Sequence, residues 1–175
     1  MNIRAELNVN GGTRRILLVQ KDEETEEHMS LRLAAAVMFF RENPAIEVGP
    51  SDPLINNVNF LPDLLVSDPI DGILIWIECG TVAVNKLIKV SRRTKHCRFV
   101  ILKENPEAGA RVREILKKEV RDHQRVEVIA FPEGQFERWH DAVTETPYVF
   151  GDASDNVLNL VLNETPFDVR FVRCK

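Results

Sequence analysis

Cysteine is scarce in this sequence and poorly placed for chemistry. The three residues, Cys79, Cys97 and Cys174, are odd in number, widely spaced and form no Cys-x-x-Cys pair. Neither a disulfide framework nor a cysteine-held zinc site is signalled. No apolar run approaches the ~20 residues needed to cross a bilayer, so no membrane partner is expected. Met1 to Leu7 carry Arg4 and Glu6 in an alternating pattern and lack an apolar signal core, which makes the cytoplasm the expected compartment. There is no Gly-x-Ser-x-Gly elbow, and Gly11-Gly12 is followed by neither a Lys-Ser/Thr pair nor a helix. Acyl-transfer and P-loop chemistry therefore have no support. Repeats, low-complexity segments and linkers are also missing. The 175 residues are read as one domain, 1–175.

What is present is ordinary for a globular chain: 44% apolar and 29% charged residues, with a net charge of −4. That balance argues against indiscriminate coating of nucleic acid. The charge is uneven, however. Glu23, Glu24, Glu26 and Glu27 form an acidic cluster, whereas Lys86, Lys89, Arg92, Arg93, Lys95, Arg98 and Lys103 form a basic stretch. A second basic run holds Arg111, Arg113, Lys117, Lys118, Arg121 and Arg125. Such runs are solvated helix faces or the flanks of a site for phosphodiesters.

The element order reads as α/β. Strands are predicted at 2–9 and 14–20, joined through Asn10-Gly11-Gly12, whose glycines suit a tight hairpin. A helix follows from Glu23 to Glu42, capped by Asp22, with Met29, Leu33, Ala36, Val37 and Phe40 as its buried stripe. Short strands at 45–48 and 61–66 precede a strand from Ile73 to Cys79 and a helix from Val82 to Arg93. Then come a strand at 97–102, a helix at 106–121, a strand at 126–131, a short helix at 133–142, and strands near 146–150 and 156–163. The tail from 167 has no clear pattern. A mixed β-sheet with flanking helices is the expected fold class.

The chemistry concentrates in Pro62-Asp63 and in Ile73-Leu74-Ile75-Trp76-Ile77-Glu78-Cys79-Gly80. Strand alternation puts Leu74, Trp76 and Glu78 on one face. A turn near 68–72 brings Asp63 beside Glu78, giving two carboxylates suited to a hard divalent cation. Glu24 and Glu27, one helical turn apart, offer a third. The alternative is turn and surface chemistry. His28, His96, His123 and His140 show no metal-ligand spacing, although His28 sits beside the acidic helix start. Trp76 reads as a core aromatic.

Several blocks in order resemble the YaeQ family over nearly the whole chain. Glu24-Thr25-Glu26-Glu27-His28-Met29 is similar to the family's E-T-x-E-R-M helix start, with His28 in place of Arg. Pro62-Asp63, Gly72 and Leu74-Ile75-Trp76-Ile77-Glu78-Cys79-Gly80 follow its P-[DE]-x-W, turn Gly and L-W-I-[DE]-x-G elements, with Leu65 replacing the first Trp. Lys86-Leu87-Ile88-Lys89 resembles the family's R-I-x-K stretch, and Val157-Leu158-Asn159-Leu160 its closing strand. Val82-Ala83 stands where the family has Pro-Asp.

The resemblance implies a PD-(D/E)xK nuclease-like αβββαβ core with added N- and C-terminal strands. It implies a metal-dependent phosphodiesterase acting on nucleic acid, with Mg²⁺ or Mn²⁺ on Asp63, Glu78 and Glu24 or Glu27. Gly80 occupies the position of the motif's Lys, so Lys89 or Lys86 from the next helix is expected to supply the cation beside Glu78. The alternative is a catalytically inactive interaction or regulatory protein on the same scaffold. If the site exists, Asp63, Glu78 and one of Glu24 and Glu27 converge on one cleft, Lys86 to Arg98 borders it, and at least one gathered carboxyl has a raised pKa.

Overall fold

The computed structural model describes residues 1–55 and 58–175. β1 (Ile3–Val9) and β2 (Gly12–Leu18) form the predicted hairpin. Its two turn residues, Asn10 at φ 53° and Gly11 at φ 77°, both adopt positive φ, and Gly12 already pairs with Val9. Such a two-residue turn matches the twist of the strands it joins.

α1 (Glu26–Met38) starts later than its charge pattern suggests. Thr25, rather than Asp22, is the N-cap, and its hydroxyl accepts from His28 N at 3.2 Å. Glu24 therefore lies outside the helix, in a turn where Glu24 N donates to Lys21 O and Lys21 N donates to the Glu24 carboxylate. From Met29 to Met38 every residue is buried, and only Phe40 of the expected stripe lies beyond the helix, in a 3₁₀ turn (Phe40–Glu42). A helix apolar on all sides is packed on all sides, and α1 is enclosed by two sheets rather than lying on one.

The strand expected at 45–48 is reduced to a single antiparallel bridge, Ala45 to Leu65. β3 (Leu64–Asp68) and β4 (Gly72–Cys79) make an antiparallel pair with a register shift between Val66 and Ser67. α2 (Val84–Arg93) then leads to β5 (Arg98–Lys103), parallel to β4. α3 (Pro106–Glu119) leads to β6 (Val126–Ala130), and α4 (Gln135–Ala142) follows. The C-terminal region forms β7 (Tyr148–Ser154), β8 (Val157–Leu162), β9 (Thr165–Arg170) and β10 (Val172–Arg173), so the unpatterned tail is largely strand.

These strands make two five-stranded sheets, ordered β2-β1-β7-β8-β9 and β10-β6-β5-β4-β3, where one mixed sheet was expected. The burial patterns account for the division. β1 alternates between fully buried and more exposed positions, as a one-sided sheet must, whereas β5 is buried almost throughout and is covered on both faces. One core cluster joins α1 to the inner faces of both sheets and includes Leu7, Leu33, Ile77, Val100 and Leu158. The other lies beneath α2 and α3 and includes Trp76, Leu87, Phe99 and Leu116. Burying a side chain such as Leu87 contributes roughly 1.5–3 kcal/mol, which holds α2 in the cluster with Trp76 and Phe99.

Candidate functional site

Asp63 sits just before β3, where its backbone N–H donates to Ile77 O at 3.0 Å. Its Oδ2 accepts from Cys79 N at 2.7 Å, so the carboxylate continues the backbone pairing at the end of β4. Its Oδ1 accepts from His28 Nε2 at 3.0 Å. Glu78, 2% exposed, lies two residues from Trp76 on the face covered by α2. Glu78 Oε1 accepts from Trp76 Nε1 at 2.7 Å, and Oε2 accepts from Lys86 Nζ at 2.7 Å. Lys86 also donates to Leu61 O at 2.8 Å.

These neighbours divide the two acids electrostatically. Burial, then the Asp63 charge, push the Glu78 carboxyl up to about 7, against the pull of Lys86 and Trp76. Burial also opposes the charge on Asp63. There the His28 hydrogen bond and charge, the Cys79 N–H and Lys86 outweigh it and hold the carboxyl below its usual range. Cys79, fully buried next to both, has its thiol pushed well up by desolvation and the Asp63 charge, which leaves it inert.

Lys86 stands in the first turn of α2, where a cation opposes the helix dipole. No side chain caps that helix, at Ala83, and its first turn holds no acid. The ion pair with Glu78 offsets this local conflict. Lys89 points elsewhere, with its ammonium 5.8 Å from the centre of the Phe60 ring. Gly80 does not open space for either lysine. Its φ is +64°, so strand alternation has ended, and an added Cβ would meet Leu31 of α1 at 3.5 Å. The glycine serves the turn out of β4.

The two helix-start acids also separate. The Glu24 carboxylate is mostly buried and accepts from Arg32 Nη1 at 3.3 Å. Oxygens of Glu24 and Asp63 and a ring nitrogen of His28 lie within 4.8 Å of one another. Glu27 is exposed, held below its usual range by its own backbone N–H and then by the Thr25 hydroxyl. It lines a cleft of about 350 Å³ with Glu23, His28, Thr81 and Glu104. Asp63 therefore has Glu24 and His28 on one side and the charges of Glu78 and Lys86 on the other. Three contributors were given no role in the site from the sequence. His28 appeared only as a neighbour of the acids and Trp76 as core. Arg32 carried one signal, a cation inside the apolar run from Met29 to Met38.

Among the described residues no helix is long and apolar enough to cross a membrane. The family model described as YaeQ protein matches residues 12–168. The crystal structure of YaeQ protein from Xanthomonas axonopodis pv. citri aligns with a TM-score of 0.72 at 18% identity, covering 98% of this chain and 96% of that one. The YaeQ protein structure from Pseudomonas syringae aligns at 0.75 and 22% identity, covering 99% and 95%. At such identities the likeness is one of fold. A comparison with curated proteins finds no match.

Proposed function

This chain belongs to the YaeQ family, and we propose that it carries a variant PD-(D/E)xK site for divalent-ion-dependent cleavage of phosphodiesters in nucleic acid. The order α1, bridge at Ala45, β3, β4, α2, β5 follows αβββαβ, with the first strand shortened to one residue pair. The observation that carries the reading is Lys86 Nζ at 2.7 Å from Glu78 Oε2, beside a charged and buried Asp63. A cation from the following helix against Glu78 supports the reading, because the motif pairs its second acid with a Lys.

Asp63 Oδ1 and the Glu24 carboxylate fit a hard divalent cation such as Mg²⁺ or Mn²⁺, which takes oxygen ligands. Such an ion supplies charge neutralisation at the phosphoryl oxygens and a more acidic bound water. Asp63 would bind it through Oδ1 while Cys79 N fixes the other oxygen. Glu78 would join as the second acid by releasing Oε2 from Lys86. Lys86 would then hold the attacking water or meet developing negative charge. Glu27, exposed on the cleft, would act through water.

A second reading, an interaction or regulatory protein, is favoured by two observations. Both Glu78 oxygens are already satisfied, and Glu23, Glu27 and Glu104 give the cleft an acidic mouth that repels phosphate. The deciding experiment pairs thermal melts in Mg²⁺ and Mn²⁺ with cleavage of single- and double-stranded DNA and RNA. An ion that binds only the folded chain raises its melting temperature. The phosphodiesterase reading expects that rise, with cleavage lost in Asp63→Asn and in Lys86→Ala. An unmoved melting temperature and intact substrates would leave the interaction reading.

A further inference from the structure

We propose that Glu24, His28 and Asp63 form a binding site for a first-row transition-metal ion, with the imidazole as a direct ligand, and that this set prefers such an ion to Mg²⁺. The inference shares Asp63 and Glu24 with the phosphodiesterase reading and adds His28, and it does not use Glu78 or Lys86.

His28 Nε2 and Asp63 Oδ1 are 3.0 Å apart. Adjacent ligands about 2.1 Å from one octahedral ion stand about 3.0 Å from each other, so this pair has the spacing of two cis ligands once the ion displaces to solvent the proton that Nε2 donates to Oδ1. The Glu24 oxygen completes a group within 4.8 Å. Ligands of one such ion are at most about 4.4 Å apart, so a small carboxylate rotation brings the third donor in.

The supporting shell is also in place. Asp63 Oδ2 is tied to Cys79 N, which leaves Oδ1 facing His28. Arg32, 1% exposed in the middle of α1, holds Glu24 through Nη1, while its Nη2 is fixed by Ile46 O at 3.1 Å and Glu47 at 2.7 Å. Arg32 is a positioning residue: it orients the carboxylate and would not touch the ion. His28 is 24% exposed at its side chain and lines the cleft, whereas Asp63 and Glu24 do not, so an ion would reach the two carboxylates past the imidazole.

The donor set decides the class of ion. Carboxylates alone suit Mg²⁺ and Ca²⁺, whereas an imidazole nitrogen moves preference toward Co²⁺, Zn²⁺ and similar ions. Glu78, with its oxygens held by Trp76 and Lys86, contributes nothing to this set.

The test uses the full chain, stripped with chelator, and titrates Co²⁺ and Mg²⁺ separately by calorimetry, with the visible Co²⁺ spectrum as a second readout. One Co²⁺ per chain is expected, bound far more tightly than Mg²⁺. His28→Gln should weaken Co²⁺ by more than the roughly 10–100-fold that loss of an outer-shell partner costs, and Arg32→Lys by about that amount. Glu78→Gln should weaken Co²⁺ far less than His28→Gln does, because both Glu78 oxygens are already held by Trp76 and Lys86. A variant that fails to fold is bypassed by following the ring nitrogens of His28 by NMR in the unmodified chain. Zn²⁺ should shift Nε2 of that residue alone among the four histidines. If Co²⁺ binds His28→Gln as well as it binds wild type and is lost in Glu78→Gln, the ion sits on the Asp63–Glu78 pair. That overturns this site and leaves the phosphodiesterase reading standing. If neither ion binds wild type, both fall.

Discussion

Asp63 and Glu78 stand at neighbouring strand ends, both almost out of solvent, and burial opposes the charge on each. They nevertheless titrate in opposite directions. Asp63 accepts from a backbone N–H and an imidazole, and it feels Lys86 as well. Glu78 has one cation and one indole N–H, and Asp63 is its repelling neighbour. Donor number and neighbouring charge, rather than depth, decide which acid is ionised at neutral pH. Two carboxyls pushed apart in this way are suited to different tasks, one as a permanent anion and the other as a group that exchanges a proton.

Removing the cation should break the contrast most severely. Lys86→Met leaves Glu78 buried with Trp76 as its remaining partner, and breaking a buried ion pair costs about 3–5 kcal/mol. The loss should be largest near pH 8, where Glu78 must carry charge, and smaller near pH 5, where it can stay protonated. Adding Glu78→Gln to Lys86→Met should recover much of the stability. Urea denaturation of the single and double variants at both pH values reads this out. Equal losses at pH 5 and pH 8 would mean that the lysine stem, and not the charge, matters.

The two acids also predict a pH profile. Glu78 is raised from 4.5 to about 7 on folding, so the native state holds its proton more tightly. Its contribution is full below its unfolded value and is lost as pH rises through 7, an effect of about 3 kcal/mol. Asp63 is lowered from 3.8, so its contribution is present above that value and is lost as pH falls through the lower folded value. Stability from this pair should peak near pH 4–5 and decline toward pH 8. Glu78→Gln should flatten the decline. A wild-type curve that rises between pH 5 and 8, and does so equally in the variant, would contradict the assignment.

The same contrast explains what could be read from the sequence. Period-2 and period-3.6 patterns located nearly every element, because each buries at least one apolar face. The pairing of Asp63 with Glu78 was visible as two acids flanking a hairpin, and a raised carboxyl followed from gathering them. Which lysine reaches Glu78 was not legible, because Lys86 and Lys89 are both compatible with helical spacing, and only the position of α2 chooses between them. Glu24 and Glu27 looked equivalent until Thr25 took the cap and left them on different structures. The second sheet was missed because strands from opposite ends of the chain pair only through β1 and β7, a contact that no local pattern encodes.

A milder change isolates the Asp63 side. Asp63→Asn keeps an oxygen able to accept from Cys79 N but gives up the charged partner of His28. The expected cost without metal is about 1–3 kcal/mol. In addition, Glu78 should titrate closer to its ordinary value, because Asp63 is its second-largest source of upward shift. The carboxyl signal of Glu78, followed by NMR from pH 4 to 8, checks this. An unchanged midpoint would show that burial alone raises Glu78.

The smallest expected effect asks whether the two regions are separate. The Thr25 hydroxyl caps α1 by accepting from His28 N, and His28 in turn donates to Asp63. Thr25→Ala should cost about 1 kcal/mol, and Thr25→Ser should restore most of it. The first turn of α1 would fray, so the amide protons of that turn should exchange faster, and His28 should lose its fixed approach to Asp63. Glu78 is held from β4 and α2 and owes nothing directly to that cap. The fall in stability between pH 5 and 8 should therefore keep its wild-type slope in Thr25→Ala, with the whole curve lowered. A slope that flattens along with the loss of the cap would mean that the Asp63 charge depends on His28 strongly enough to carry Glu78 with it. The two acids would then be one titrating unit rather than two neighbours with different tasks.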